Sequence, residues 1–114
     1  MNRRTVLIAA AGAAAAAALP AFAQAAQTSV AVFEAAEPAA RAFAQGHTPA
    51  LAMDGDRVRF ARALFREQRP ARVLAMTRYA DYLILTEAAR EDGYRTQLVS
   101  QADTLFAWTA ERVS

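Results

Sequence analysis

Cysteine is missing from this chain of 114 residues. Its absence excludes every thiolate chemistry at once: a cysteine nucleophile, cysteine-ligated zinc, an iron–sulfur cluster and c-type haem attachment. It also removes disulfides as a source of stability, so packing alone has to hold the fold. Histidine is nearly as scarce. His47 is the single imidazole and no serine lies in a nucleophile-elbow context, so a hydrolytic triad cannot be assembled. His47 follows Gly46, a position where it completes a helix C-terminus more readily than it binds a metal. The four glycines form neither a G-x-G-x-x-G fingerprint nor a P-loop, which closes those routes to nucleotide binding. The expectation is therefore no cofactor and no metal.

An excess of one charge is lacking too. Lysine is absent: all 13 basic residues are arginine, against 11 acidic ones, for a formal net charge of +2. Arg3 and Arg4 account for that excess, and without them the chain is neutral. A nucleic-acid binder normally carries a basic excess over its domain, so no nucleic-acid partner is expected.

What the N-terminus does contain is an export pattern. "MNRRTVLIAAAGAAAAAALPAFAQA" opens with a short positive region, continues through the apolar run Val6–Leu19, and ends after Pro20 in small-residue cleavage signals. This order marks residues 1–23 as a signal peptide, with cleavage alternatively after Ala25. The run falls short of the roughly 20 residues that cross a bilayer, so contact with the membrane is transient and an uncleaved anchor is disfavoured. "NRRTVLI" resembles the twin-arginine export motif, with Asn2 before the pair and Ile8 where lysine often stands as its departures; an ordinary Sec signal is the alternative. The expected location is the periplasm, and residues 24–114 form one small domain.

Along that domain the periodicities alternate. "SVAVF" (Ser29–Phe33) reads as a buried strand. Pro38 suits a first helical position and Gly46 a stop, with Ala39, Ala40, Phe43 and Ala44 on one face. "TPALAM" (Thr48–Met53) is a second strand weakened by Pro49. "DGD" (Asp54–Asp56) is a turn, Asp56 is an N-cap, and Val58, Ala61, Leu64 and Phe65 make the apolar stripe of a helix that Pro70 ends. "RVLAM" (Arg72–Met76) is the third strand, followed by a helix from Tyr79 to Asp92 closed by Gly93. "YRTQLVS" and "TLFAWTA" alternate at period 2 around Gln101–Asp103, an antiparallel hairpin packing through Tyr94, Leu98, Phe106 and Trp108. The expected fold is α/β: a small three-layer βαβαβαββ domain, its sheet mainly parallel with a C-terminal antiparallel hairpin. Abundant alanine supports a mostly helical rival, which bears hardest on the first two strands.

In an open parallel sheet, ligands bind beyond the carboxyl ends of the strands, near the point where strand order reverses. A 2-1-3 order would gather "EAAE" (Glu34–Glu37), "DGD" and "TRYAD" (Thr77–Asp81) at one edge. The ligand-binding candidates are Glu34, Asp54, Thr77, Arg78, Tyr79 and Asp81, with Asp56 nearby. Arg78 offers a bidentate fork for an anion, and Thr77 and Tyr79 could orient a ligand. Structural roles compete at each: Thr77 or Asp81 can stabilise a helix start, and Arg78 can pair with Asp81 on the surface. "DGD" lacks the remaining spacing of a calcium loop and reads as a turn with a cap. Glu34 with Asp54 is the one carboxylate pair that could supply a base. Arg59, Arg62, Arg66 and Arg69 step by helical spacing, giving either a solvated face or a docking stripe for an acidic partner or anionic lipid headgroups.

Taken together, "DGD" before a helix, "LAMTRYADYLILTEAAREDGYR" and the closing "LFAWT" resemble a loose group of short, twin-arginine-exported α/β proteins of proteobacteria with no assigned function. The resemblance spans most of residues 29–110. It implies the fold and the export route and carries over no catalytic residue. The expected function is a non-catalytic binding or accessory module beside an exported redox enzyme, with a small anionic ligand or a protein partner. Two rivals stand against it: a small enzyme with Glu34 or Asp54 as base and Arg78 holding an anionic substrate, and a structural protein that oligomerises through Tyr79, Tyr82, Phe106 and Trp108.

Overall fold

The computed structural model describes residues 29–113. The signal segment 1–23 and the short stretch up to Thr28 lie outside the described residues. Eight elements follow in order: β1 (Ser29–Phe33), α1 (Pro38–Gln45), β2 (Ala50–Ala52), α2 (Arg57–Arg62, continued as a π-helical turn over Ala63–Gln68), β3 (Arg72–Arg78), α3 (Tyr79–Glu91), β4 (Tyr94–Ala102) and β5 (Leu105–Arg112). They build a small α/β domain around one five-stranded mixed sheet in the order β2-β1-β3-β5-β4. β1 pairs in parallel with β2 and β3, and β5 runs antiparallel to both β3 and β4. Only β5 therefore points the other way. The mostly helical rival is overturned, because β-branched and aromatic side chains in β1, β3 and β5 outweigh the general helix preference of alanine.

Local chemistry accounts for the element boundaries. Pro38 opens α1, with its ring at the first position where no backbone donor is needed, and Gly46 caps the other end. Ala40 and Ala44 are buried on that helix, whereas Ala39 is exposed. Pro49 shortens the second strand from the front: β2 begins one residue after it. Asp56 caps α2 by accepting the Arg59 backbone N–H at 3.0 Å. Ala61, Leu64 and Phe65 are buried as the stripe requires, but Val58 is 46% exposed. Phe60, four residues before Leu64 and so on the same helix face, packs against the core instead.

The end of α2 is more elaborate than a proline stop. The helix widens to π geometry, and Arg69 leaves it in a left-handed conformation at φ 49°, its N–H reaching the Leu64 carbonyl at 2.9 Å. The Arg69 guanidinium then donates to the carbonyls of Phe65 (3.2 Å) and Asp92 (2.9 Å) and lies over the Tyr94 ring. Tyr94 Oη donates to the Pro70 carbonyl at 2.6 Å, and Arg112 Nη1 to the Arg69 carbonyl at 2.6 Å. This knot ties the start of β3 to the start of β4 and the end of β5.

The core lies between the sheet and the pair α2–α3. Val32, Val73, Ala75, Trp108 and Ala110 from the strands meet Leu64 and Phe65 from α2 and Leu85 and Ala89 from α3. Phe65 packs edge-on to Tyr94, with ring centroids 5.0 Å apart. Thr77 and Trp108 close the core at its upper end: the indole Nε1 donates to Thr77 Oγ1 at 3.0 Å, both groups buried. Among the described residues no helix is long and apolar enough to cross a membrane.

Candidate functional site

The carboxyl ends of β1, β2, β3 and β4 share one edge of the sheet, and the turn between β4 and β5 lies beside them. Here "TRYAD" is no loop. β3 continues through Thr77 and Arg78, which pair with Phe106 and Leu105, and α3 starts at the next residue. Thr77 is fully buried under Trp108 and turned away from solvent. Arg78 is the N-cap position of α3 and makes no side-chain capping bond.

Two ion-pair networks occupy this edge. In the first, Arg57 lies between Glu34 and Asp81: its Nε donates to Asp81 Oδ1 at 3.0 Å, and Nη2 is 3.6 Å from Glu34 Oε1. Arg57 Nη1 also donates to the Gly55 carbonyl, which fixes the guanidinium against its own turn. Glu34 is 8% exposed, and its Oε2 accepts the Ala36 N–H at 2.9 Å. In the second, Arg78 Nε and Nη2 both reach Glu37 Oε2, at 3.0 and 2.9 Å, and Thr104 from the β4–β5 turn donates to the same oxygen at 3.4 Å. Arg78 thus pairs with Glu37 rather than with Asp81, and 48% of its side chain stays exposed.

The structure brings Glu34 and Asp81 together through Arg57 and places Arg78 in the neighbouring network. Asp54 and Tyr79 are exposed at the same edge, Tyr79 at 54%. Asp56 is the cap of α2, and the donated backbone N–H holds its carboxyl below the ordinary value of 3.8. Sequence reasoning missed Arg57, Glu37 and Thr104. Arg57 did leave a signal: a cation in the first turn of a helix opposes the helix dipole and calls for a carboxylate partner. Glu37 lies within "EAAE", a segment placed at this edge, though it was not singled out; Thr104 left no signal, since its meeting with Glu37 depends on how the hairpin turn approaches across the sheet.

Beside the second network is a cleft of about 350 Å³. Pro38, Met76, Leu105 and Ala107 are among its apolar lining, and Glu37, Ser100, Asp103 and Thr104 are its polar lining; Arg78 borders the cleft only through its partner Glu37. Farther along, an aromatic chain runs outward from the core. Trp108 meets Tyr82 at 6.0 Å between centroids, Tyr82 meets Phe106 at 5.3 Å, and Phe106 meets the exposed Tyr79 at 5.2 Å.

The arginine stripe separates into parts. Arg59 and Arg62 are exposed on α2, Arg66 pairs with Asp92 at 3.2 Å, and Arg69 is folded back into the knot at the helix end. His47 packs its ring 4.7 Å from Phe43, and its N–H caps α1 through the Ala44 carbonyl. Among the described residues, no group of three acidic or histidine side chains lies close enough to hold a metal ion. No protein-family model, curated protein or solved structure matches the chain.

Proposed function

We propose that this protein is an exported, non-catalytic binding or accessory module whose ligand site is the cleft beside Arg78. One observation carries the reading: a half-exposed guanidinium stands at the strand carboxyl edge, held by Glu37, which itself lines a mainly apolar cleft of about 350 Å³. Pockets for small molecules begin at about 300 Å³ and combine apolar walls with a few fixed polar groups. Arg78 spends Nε and Nη2 on Glu37, and a guanidinium has a further edge with which to meet a carboxylate or phosphate. The ligand class this favours is a small anion with an apolar body, its charge meeting Arg78 at the rim because the charged residues of the cleft lining itself are the carboxylates Glu37 and Asp103. Glu34, the base of a rival enzymatic reading, already accepts a backbone N–H and faces Arg57, which favours recognition over proton transfer.

The proposal includes the export route and the company it implies. The twin-arginine-type segment, and the group of short exported α/β proteins that the sequence resembles, support delivery of a folded chain to the periplasm, beside an exported redox enzyme. It also includes a three-layer βαβαβαββ arrangement. Met76 and Ala107 line the cleft with Pro38 of α1, while their chain neighbours Ala75 and Trp108 belong to the core formed with α2 and α3; alternation along a strand sends neighbours to opposite faces.

Thermal shift with a series of straight-chain carboxylates, acetate through hexanoate, tests the site. The expected result is a melting temperature that rises with chain length and no longer responds in Arg78→Ala; saturation at about 100 times Kd would correspond to about 2.7 kcal/mol. A flat response across the series rejects the site. Fractionation of cells carrying Arg3→Lys with Arg4→Lys tests the route: retention in the cytoplasm is expected, and unimpaired export would point to Sec.

A further inference from the structure

We propose that β4 is a homodimer interface, with two copies pairing antiparallel along their β4 edges about a two-fold axis at Leu98. Among the described residues β4, nine residues long, is bonded on one side alone, to β5, and the opposite edge of the sheet is the three-residue β2. Exposed edges are usually kept apart by shortness, proline, inward-pointing charge or a bulge. β4 has no proline, and Arg95 is its single charged residue. The bulge at Val99 is its one guard, because the register with β5 steps from Leu98↔Trp108 to Ser100↔Ala107.

That bulge selects the register of pairing. With Val99 set outside the ladder, a two-fold at Leu98 places Gln97 opposite Ser100 of the second copy, Thr96 opposite Gln101, and Arg95 opposite Ala102. Each pair lies on a common face, as antiparallel partners must. Thr96 and Gln101 register with Ala110 and Phe106 on the core side, and Arg95 and Ala102 with Glu111 and Leu105 on the other. Charge is complementary in this register. Arg95, the only cation of the strand, reaches Glu111 of its own chain at 3.9 Å and in this register also meets the end of the second strand beside Asp103, twice by symmetry, with no like charges opposed along the strands.

Two of the six exposed large hydrophobic side chains among the described residues lie at the same place. Leu98 is 45% and Val99 63% exposed, and Leu98 shares the Trp108 face of the sheet, where the aromatic chain runs out to Tyr79. A two-fold normal to the sheet sets Leu98 against its own copy. It also places α3 of both copies on the same side of the joined sheet, and α3 carries the exposed Leu83 and Tyr79. A self-complementary strand with a central leucine is best matched by itself, which is why a second copy is the occupant.

Light scattering on the purified protein over a dilution series provides the test. The expected mass is twice that of one chain. Leu98→Arg, which sets two guanidinium groups against each other on the axis, should return the mass to one chain while circular dichroism and melting temperature stay those of a folded protein. Val58→Arg, on the exposed face of α2, should leave the dimer intact. Arg95→Asp should weaken association, with added salt relieving the new repulsion from Asp103. A single-chain mass for the unsubstituted protein overturns the proposal. So does a dimer that survives Leu98→Arg or is indifferent to Arg95→Asp, and so does a different protein occupying the edge.

Discussion

Thr77 shows how far one residue's role depends on what lands beside it. In the sequence it is a polar residue before a helix, a natural ligand contact or cap. In the fold it is buried and takes the Trp108 indole hydrogen at 3.0 Å. Thr77→Val keeps the shape and strands that N–H in the core, so urea unfolding should show a loss of about 1–3 kcal/mol. Tyr94 is a second case. Burial pushes its phenol above the ordinary value of 10.0, against a smaller opposing effect of Arg69 and Arg112. A raised value means that its contribution is complete below pH 10.0, the unfolded value, and is lost as pH rises through the higher folded value. Tyr94→Phe should lower stability at neutral pH by about 1 kcal/mol, through loss of the bond to Pro70, and should flatten the alkaline decline in melting temperature. Asp56 behaves oppositely. Its depressed value makes the cap fully effective above 3.8 and lost as pH falls through the lower folded value.

Elements were legible where local chemistry writes their ends. Pro38 and Gly46 bound α1, Asp56 starts α2, and Gly93 follows α3 with φ at 89°. The left-handed backbone at Gly93 is a conformational demand, because a Cβ there would meet nothing closer than Arg69 Nη2 at 3.9 Å. Gly93→Ala should therefore cost about 1 kcal/mol or more without crowding its neighbours, readable as a lower denaturation midpoint with an unchanged slope. Ends set by partners were not legible. β3 runs two residues past "RVLAM" because β5 continues to pair with it at Thr77↔Phe106 and Arg78↔Leu105. Likewise β4 and β5 extend beyond their alternating cores, and Val58 stays exposed while Phe60 packs on the core, a choice made by tertiary contacts.

For the whole molecule, the Glu34–Arg57–Asp81 network matters because it joins the end of β1 to the starts of α2 and α3. The Glu34 and Asp81 side chains are 10% and 14% exposed, so removing the guanidinium leaves two largely desolvated carboxylates without their shared cation. Arg57→Ala should cost about 1–3 kcal/mol, and hydrogen exchange should speed up first at the starts of α2 and α3 rather than in β5. The sheet order 2-1-3, on which the gathering of "EAAE", "DGD" and "TRYAD" depended, is the order found, with β5 and β4 added beyond β3. The edge was thus foreseeable from alternating strand and helix periods, while its wiring was not. Arg78 was expected to be free for a ligand or paired with Asp81; Glu37, arriving from α1, took that place.

The sequence by itself determined the classes of chemistry excluded by absent cysteine and scarce histidine, the α/β alternation, and the helix starts and stops that proline, glycine and aspartate impose. These are decided within a few residues, by backbone sterics and by side chains that bond their own turn. Only the tertiary structure decided which arginine meets which carboxylate, that Thr77 is interior, and that among the described residues β4 is left as an open edge. Ion pairs, burial and strand edges are set by elements far apart in the chain, and their geometry exists only once the sheet has closed its order and the helices have settled on it.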